Sequence, residues 1–228
     1  MLYRSLTVAA LFAAAVWGQD ERRVSSPDGQ LEFRIFISQP DDGSLSRLAY
    51  RILLHGKPVV ETSYLGLNIH NQEPFLGEKV GLIGSQNGDQ GRSRWLKAEY
   101  MQNGSIGRLI DVEARVWNEG VAFRYVIPRS TALEEILIDD ELTEFDVGRG
   151  AHGGPLPLTA GAVRIAEVAR PPYPPVTLAG DGVLVTKLVR PSPDAVTAFE
   201  GRTPLTGPWR IVTTGEAARI LEELRGTR

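Results

Sequence analysis

The 228-residue sequence contains no cysteine, only two methionines and only three histidines. The missing thiols exclude disulfides, thiolate metal sites and a cysteine nucleophile. An excess of one charge is also lacking: 25 Lys and Arg stand against 28 Asp and Glu, a formal net charge of -3. No basic tract occurs, so nothing electrostatic favours nucleic acid or an anionic membrane as a partner. His55, His70 and His152 share no metal-ligand spacing, and there is no His-Glu-x-x-His motif. Phosphate loops, dinucleotide fingerprints and Ser-centred nucleophile elbows are absent too. Glycine and proline, by contrast, number 24 and 15, which fits a turn-rich chain of short strands.

Only one long apolar run exists. Arg4 precedes Ser5 to Trp17, a stretch of small and apolar residues that ends at Gly18-Gln19-Asp20. A basic start, an apolar core of about 13 residues and small residues at the cut form the pattern of a secretory signal. The run is shorter than the about 20 residues that span a bilayer. Residues 1–18 are therefore expected to be removed, leaving a domain over 19–212 and a tail over 213–228, periplasmic or secreted, with no membrane attachment.

Alternation dominates the rest. Leu31, Phe33, Ile35 and Ile37 sit two apart, as do Leu48, Tyr50, Ile52 and Leu54, each set reading as a strand with one buried face. Ser26-Pro27-Asp28-Gly29 is a turn before the first. Val80–Ile83 and Trp95–Met101 are shorter candidates, with the polar stretch Gly84–Ser93 between them expected as a loop. Leu109–Trp117 and Val121–Ile127 flank Asn118-Glu119-Gly120 and form the clearest hairpin in the sequence. Phe145 and Val147 add a candidate strand, Gly148–Pro175 is expected to be partly an extended loop, and Val183–Val189 is a last strand. Only Glu216–Arg225 has helical spacing, with Ile220, Leu221 and Leu224 on one side. The expected fold is an all-β, two-sheet antiparallel sandwich with a short C-terminal helix.

Several stretches, in order, resemble the amino-terminal domain of family 97 glycoside hydrolases, exported bacterial α-glucosidases and α-galactosidases. They are Ser26-Pro27-Asp28-Gly29-Gln30-Leu31, Tyr50-Arg51-Ile52, Gly56-Lys57-Pro58-Val59-Val60 and Ser63-Tyr64-Leu65-Gly66-Leu67. The most specific is Arg115-Val116-Trp117-Asn118-Glu119-Gly120-Val121-Ala122-Phe123-Arg124-Tyr125, and Pro208-Trp209-Arg210-Ile211 looks like the join at which those enzymes leave this domain. The resemblance covers roughly residues 24 to 212 and implies a large sandwich similar to that of sugar mutarotases. It also implies that a (β/α)8 barrel carrying the catalytic carboxylates should follow. Such a barrel needs about 250 residues, more than remain past Trp209, so no catalytic residue is expected in this chain. The expected role is carbohydrate association or packing on a partner, with no hydrolysis by the chain alone. The alternatives are an α-glycosidase split so that another chain supplies the barrel, and, more weakly, a mutarotase-like epimerase using His70 or His152.

Family members also bind calcium through a Glu that follows an Asp-Gly turn and strand. Here the corresponding stretch, Asp181 to Leu188, reads Lys187 near that position. An ammonium has no lone pair and repels a cation, so no metal or other cofactor is expected. The acidic cluster Glu134, Glu135, Asp139, Asp140, Glu141 and Glu144 interleaves with Ile136, Leu137, Ile138 and Leu142 and lacks an EF-hand's glycine and spacing. It is expected as a solvated face, not a calcium loop or a catalytic pair. Glu119 is expected in solvent at the hairpin turn, and Arg124 paired with a carboxylate across the sheet. Trp117 and Trp209 read as core. Trp95, between Arg94 and Lys97 beside a polar stretch, is the best candidate for a platform on which a sugar ring stacks.

Overall fold

The computed structural model describes residues 20–40, 42–102, 107–129, 133–215 and 218–226; the expected signal segment lies outside them. In chain order the elements begin with β1 (Arg22–Ser25), β2 (Leu31–Ser38), β3 (Arg47–Leu54), β4 (Lys57–Tyr64) and β5 (Leu67–Ile69). Then come β6 (Val80–Gln90), β7 (Ser93–Gln102), β8 (Leu109–Trp117), β9 (Gly120–Ile127), β10 (Glu135–Glu141) and β11 (Glu144–Asp146). The chain continues through β12 (His152–Pro155), β13 (Leu158–Ala160), β14 (Val163–Val168), β15 (Val176–Asp181) and β16 (Val183–Leu188). It ends with β17 (Phe199–Arg202), β18 (Leu205–Thr206), β19 (Trp209–Thr213) and the helix α1 (Ala218–Gly226).

The fold is the expected all-β sandwich. One layer is a sheet in the order β13-β14-β19-β9-β8-β7-β6, with β18 also paired to β9. Facing it are three smaller sheets, β1-β2-β3-β4, β17-β10-β5 and β11-β16-β15-β12. Side-chain bonds stitch these pieces together where the backbone ladder is interrupted. Ser63 Oγ accepts from the Asp146 N–H at 2.9 Å, and Asp140 Oδ1 accepts from the Leu188 N–H at 2.9 Å. Such bonds answer the requirement that buried backbone groups find partners.

The alternating apolar residues meet between the layers. Phe33, Tyr50, Phe123 and Phe145 form an aromatic cluster with centroids 4.8 to 6.4 Å apart, contributed by β2, β3, β9 and β11. Rings at these separations add attraction beyond the area they bury. A second, smaller core lies on the outer face of the large sheet. There Ile220 and Leu224 of α1 cover Trp117, Ala122, Ala166, Trp209 and Ile211. The helical spacing of Ile220 and Leu224 places both on the face that is buried.

One stretch expected as a loop is strand, and one expected to be partly an extended loop also carries strands. β6 runs on through Gln90, paired with β7 from Val80↔Gln102 to Gln90↔Ser93, so the reversal shrinks to Gly91-Arg92. β6 is a sheet edge with most of its side chains toward solvent, and the pairing overrides its weak strand propensity. The 148–175 stretch contains β12, β13 and β14, of which β14 pairs with β19 over five residues.

The acidic cluster also departs from expectation at one residue. Glu141 is 1% exposed and points inward, where it takes two hydrogen bonds from the equally buried Arg210. An ionised carboxylate tolerates that depth only when paired and hydrogen-bonded, and the sequence around it does not reveal its partner.

Candidate functional site

Period-two alternation gives the large sheet two chemically different faces. On β8 the inward residues are Ile110, Val112, Ala114 and Val116, all buried. The outward series, Asp111, Glu113, Arg115 and Trp117, is charged until it reaches the tryptophan beneath α1. Register aligns this series with the neighbouring strands. Trp95 and Lys97 of β7 lie opposite Arg115 and Glu113, and Arg124 of β9 lies opposite Glu113 on the other side.

These side chains, with Trp209 of β19 and Gln86 and Gln90 of β6, line a groove of about 310 Å³ beside the helix-covered core. Trp95 is half-buried and lies against the backbone of Gly88, its strand partner. A Cβ added at Gly88 would stand 2.9 Å from Trp95 Nε1 and 3.2 Å from Cε2. Glycine at that position is what lets the indole settle onto β6. Trp95 also borders a second groove of about 290 Å³, lined as well by Arg23, Asp89 and Arg94.

The groove floor is electrostatically ordered. Lys97 Nζ sits 2.7 Å from Glu99 and 2.9 Å from Asp111. Burial works against the Lys97 charge, but hydrogen bonds to both carboxylates and their charges outweigh it and raise its pKa to about 12. Asp111, with a side chain 5% exposed, is pushed up because burial outweighs the attraction of Lys97. Arg124 donates to Glu113 at 2.8 Å through Nε, and its guanidinium lies 4.3 Å from the Trp209 ring centre. That is cation–π distance. Arg115 donates to the neutral Gln90 Oε1 at 2.5 Å and also stands near the Trp209 ring, at 5.9 Å. Trp209 is 4% exposed, and its indole N–H has no hydrogen-bond partner among the described residues.

Trp95 is therefore brought together with Trp209, Arg115 and Arg124, while Trp117 stays under the helix with its N–H donated to Glu223 at 2.8 Å. Trp209 is core, as expected, and also groove wall. Arg124 pairs across the sheet as expected. The roles of Arg115, Lys97 and Glu113 are missing from the sequence reading. Their only signal is the charged half of the β8 alternation, and it becomes a site only through cross-strand register.

The other candidates lie elsewhere. His70 Nδ1 is 3.0 Å from Asp139, His152 is largely exposed and 3.6 Å from Asp181, and neither borders the Trp95 groove. Glu119 accepts from Arg92 at 3.0 Å at the surface. Lys187 donates to Asp140 at 2.8 Å. Its ammonium thus occupies the place a cation would take beside that carboxylate, and the residues there do not fit calcium. Among the described residues no group of three His, Cys, Asp or Glu side chains is arranged to hold a metal.

A family model described as glycosyl-hydrolase 97 N-terminal matches residues 24–153. No curated protein matches the sequence. Among solved structures, a glycoside hydrolase family 97 enzyme from Pseudoalteromonas sp. strain K8, in complex with acarbose, is similar with a TM-score of 0.65 and 21% identity. The similarity covers 84% of this chain and 35% of that one. A variant of that enzyme in complex with panose gives the same TM-score and coverage at 22% identity. A β-arabinopyranosidase is similar with a TM-score of 0.69 and 19% identity over 86% of this chain and 40% of that one. The chain thus spans little more than a third of the length of these proteins, and the likeness is one of fold.

Proposed function

The chain belongs to the glycosyl-hydrolase 97 N-terminal family, a non-catalytic part of glycoside hydrolases, and from that premise we propose that it is a carbohydrate-associated sandwich that does not hydrolyse glycosides by itself. The observation that carries the reading is the groove in which Trp95 and Trp209 stand among Arg115, Arg124, Glu113 and two glutamine amides. An aromatic face beside planar hydrogen-bonding groups suits a sugar, whose ring offers C–H surface and whose rim offers hydroxyls. The relatives whose structures hold acarbose and panose support the same class of ligand. The proposal includes export by cleavage after residue 18, supported by the sequence pattern alone and checked by amino-terminal sequencing of the mature protein.

Titration with panose, followed by tryptophan fluorescence and calorimetry, tests the reading. Binding that Trp95→Ala removes without changing the thermal melt is the expected result, together with no turnover of aryl α-glucosides or α-galactosides. Hydrolysis by the purified chain, or failure to bind panose and trigalacturonate alike, would overturn it. The span of 35 to 40% of the similar enzymes favours a second reading, in which a catalytic barrel completes this sandwich as an α-glycosidase. Activity appearing only when such a barrel is added would establish that assembly.

A further inference from the structure

We propose that the Trp95 groove recognises an acidic saccharide, with the sugar face on Trp95 and a uronate carboxylate on Arg115. The inference rests on the carbohydrate reading above and narrows it to a chemical class.

Its basis is the pairing of charges around the groove. Lys97 is neutralised by Glu99 and Asp111, and Arg124 by Glu113. Arg115 differs: it donates to the uncharged amide oxygen of Gln90. Burial and the neighbouring Arg124 disfavour its charge more than Glu113 and Glu223 favour it, so an anion placed there would relieve the site, whereas a neutral ligand would not. A guanidinium presents a planar fork that matches a carboxylate with two parallel hydrogen bonds. Trp95 is the direct cross-strand partner of Arg115 on the same face, and such partners have Cβ atoms about 5 Å apart. That spacing suits a single pyranose ring whose face lies on the indole and whose C5 carboxylate meets the guanidinium.

The test compares trigalacturonate with its methyl ester, a probe of the same shape without the charge, using panose and inorganic sulfate as references. Calorimetry at low ionic strength should show the acid binding at least tenfold more tightly than the ester, a preference that shrinks as salt is added. Arg115→Gln should reduce that preference to near parity, and Trp95→Ala should remove binding of both. Circular dichroism melts of each variant report whether the sheet is intact. Equal affinity for acid and ester in the unaltered protein would overturn the inference while leaving the carbohydrate reading standing. So would a preference that survives Arg115→Gln, or sulfate binding as tightly as the acid. Failure of acid, ester and panose alike to bind would defeat both.

Discussion

Arg210 grips Glu141 across the interior, its Nε donating to one carboxylate oxygen at 2.8 Å and its Nη2 to the other at 2.5 Å. The two residues come from opposite layers, β19 and β10, and each is 1% exposed. Nη1 of the same guanidinium reaches Glu167, while Tyr173 and Thr143 donate to Glu141. Burial alone would lower the Arg210 pKa, but the charge and hydrogen bonds of Glu141, helped by Glu167, raise it instead.

Removing one half of such a pair strands the other in a dry interior, which costs about 3–5 kcal/mol. Arg210→Met should therefore lose that much stability in urea denaturation. The double variant Arg210→Met with Glu141→Leu should recover a substantial part of it, because no unpaired charge of the pair is left buried. Losses that simply add, the double variant costing the sum of Arg210→Met and Glu141→Leu, would mean that the pairing itself contributes nothing.

Gly120 opens β9 where the outer core closes over it. An added Cβ would stand 2.7 Å from Thr213 Cγ2, 2.9 Å from the Val212 oxygen and 3.0 Å from Ile220 Cδ1. Thr213 and Val212 belong to the paired strand β19, so the backbone oxygen cannot give way without breaking the ladder. Gly120→Ala is expected to cost about 1–3 kcal/mol as overpacking. Ile220→Ala, which opens a void under α1 in place of a clash, should cost about 2–5 kcal/mol. The two effects share a contact and should not add, which a double variant measured by thermal melt would check.

Asp28 braces the turn into β2. Its Oδ1 accepts from Ser26 Oγ at 2.5 Å and from the Gln30 N–H at 3.0 Å, and the Ser26 bond followed by the Gln30 bond holds its pKa below the usual carboxylate value. A depressed carboxylate contributes stability that is complete above its unfolded pKa and is lost as pH falls through the folded value. The stability gap between the unaltered protein and Asp28→Ala should accordingly be constant near neutrality and close in strong acid. A gap that persisted below the carboxylate range would contradict this assignment.

How much of this was legible in the sequence follows from where each signal lives. The strand around Phe33 and Ile35 and the hairpin turning at Asn118-Glu119-Gly120 announce themselves locally, because one buried face imposes period two. β6 does not, since an edge strand facing solvent with Gly84, Gly88, Asn87 and Asp89 has no apolar period to show. Glu141 stands among five other acids, and only Arg210, 69 residues away, marks it as buried. The site was legible only at Trp95. Arg115 becomes its neighbour through the β7–β8 register, a long-range fact that composition and spacing do not carry.

The Lys97–Asp111 pair joins the charge order of the groove to the stability of the sheet. Lys97 keeps part of its side chain in water, whereas the Asp111 carboxylate is almost wholly withdrawn. Lys97→Met should thus be destabilising by about 1–3 kcal/mol at neutral pH, because it leaves a buried carboxylate without its main donor. Asp111→Asn should cost less, since Lys97 retains Glu99 as a partner and an amide is less costly to bury than a carboxylate. The pH dependence has a defined sign. A lysine whose folded pKa is raised contributes stability that is complete below the unfolded value and lost as pH rises through the folded one, here about 12. The advantage of the unaltered protein over Lys97→Met should therefore persist through neutral and mildly alkaline solution and vanish only toward pH 12. Denaturation midpoints of both proteins along an alkaline series measure it, and an advantage already gone near pH 9 would show that the ammonium is not what holds Asp111 in place.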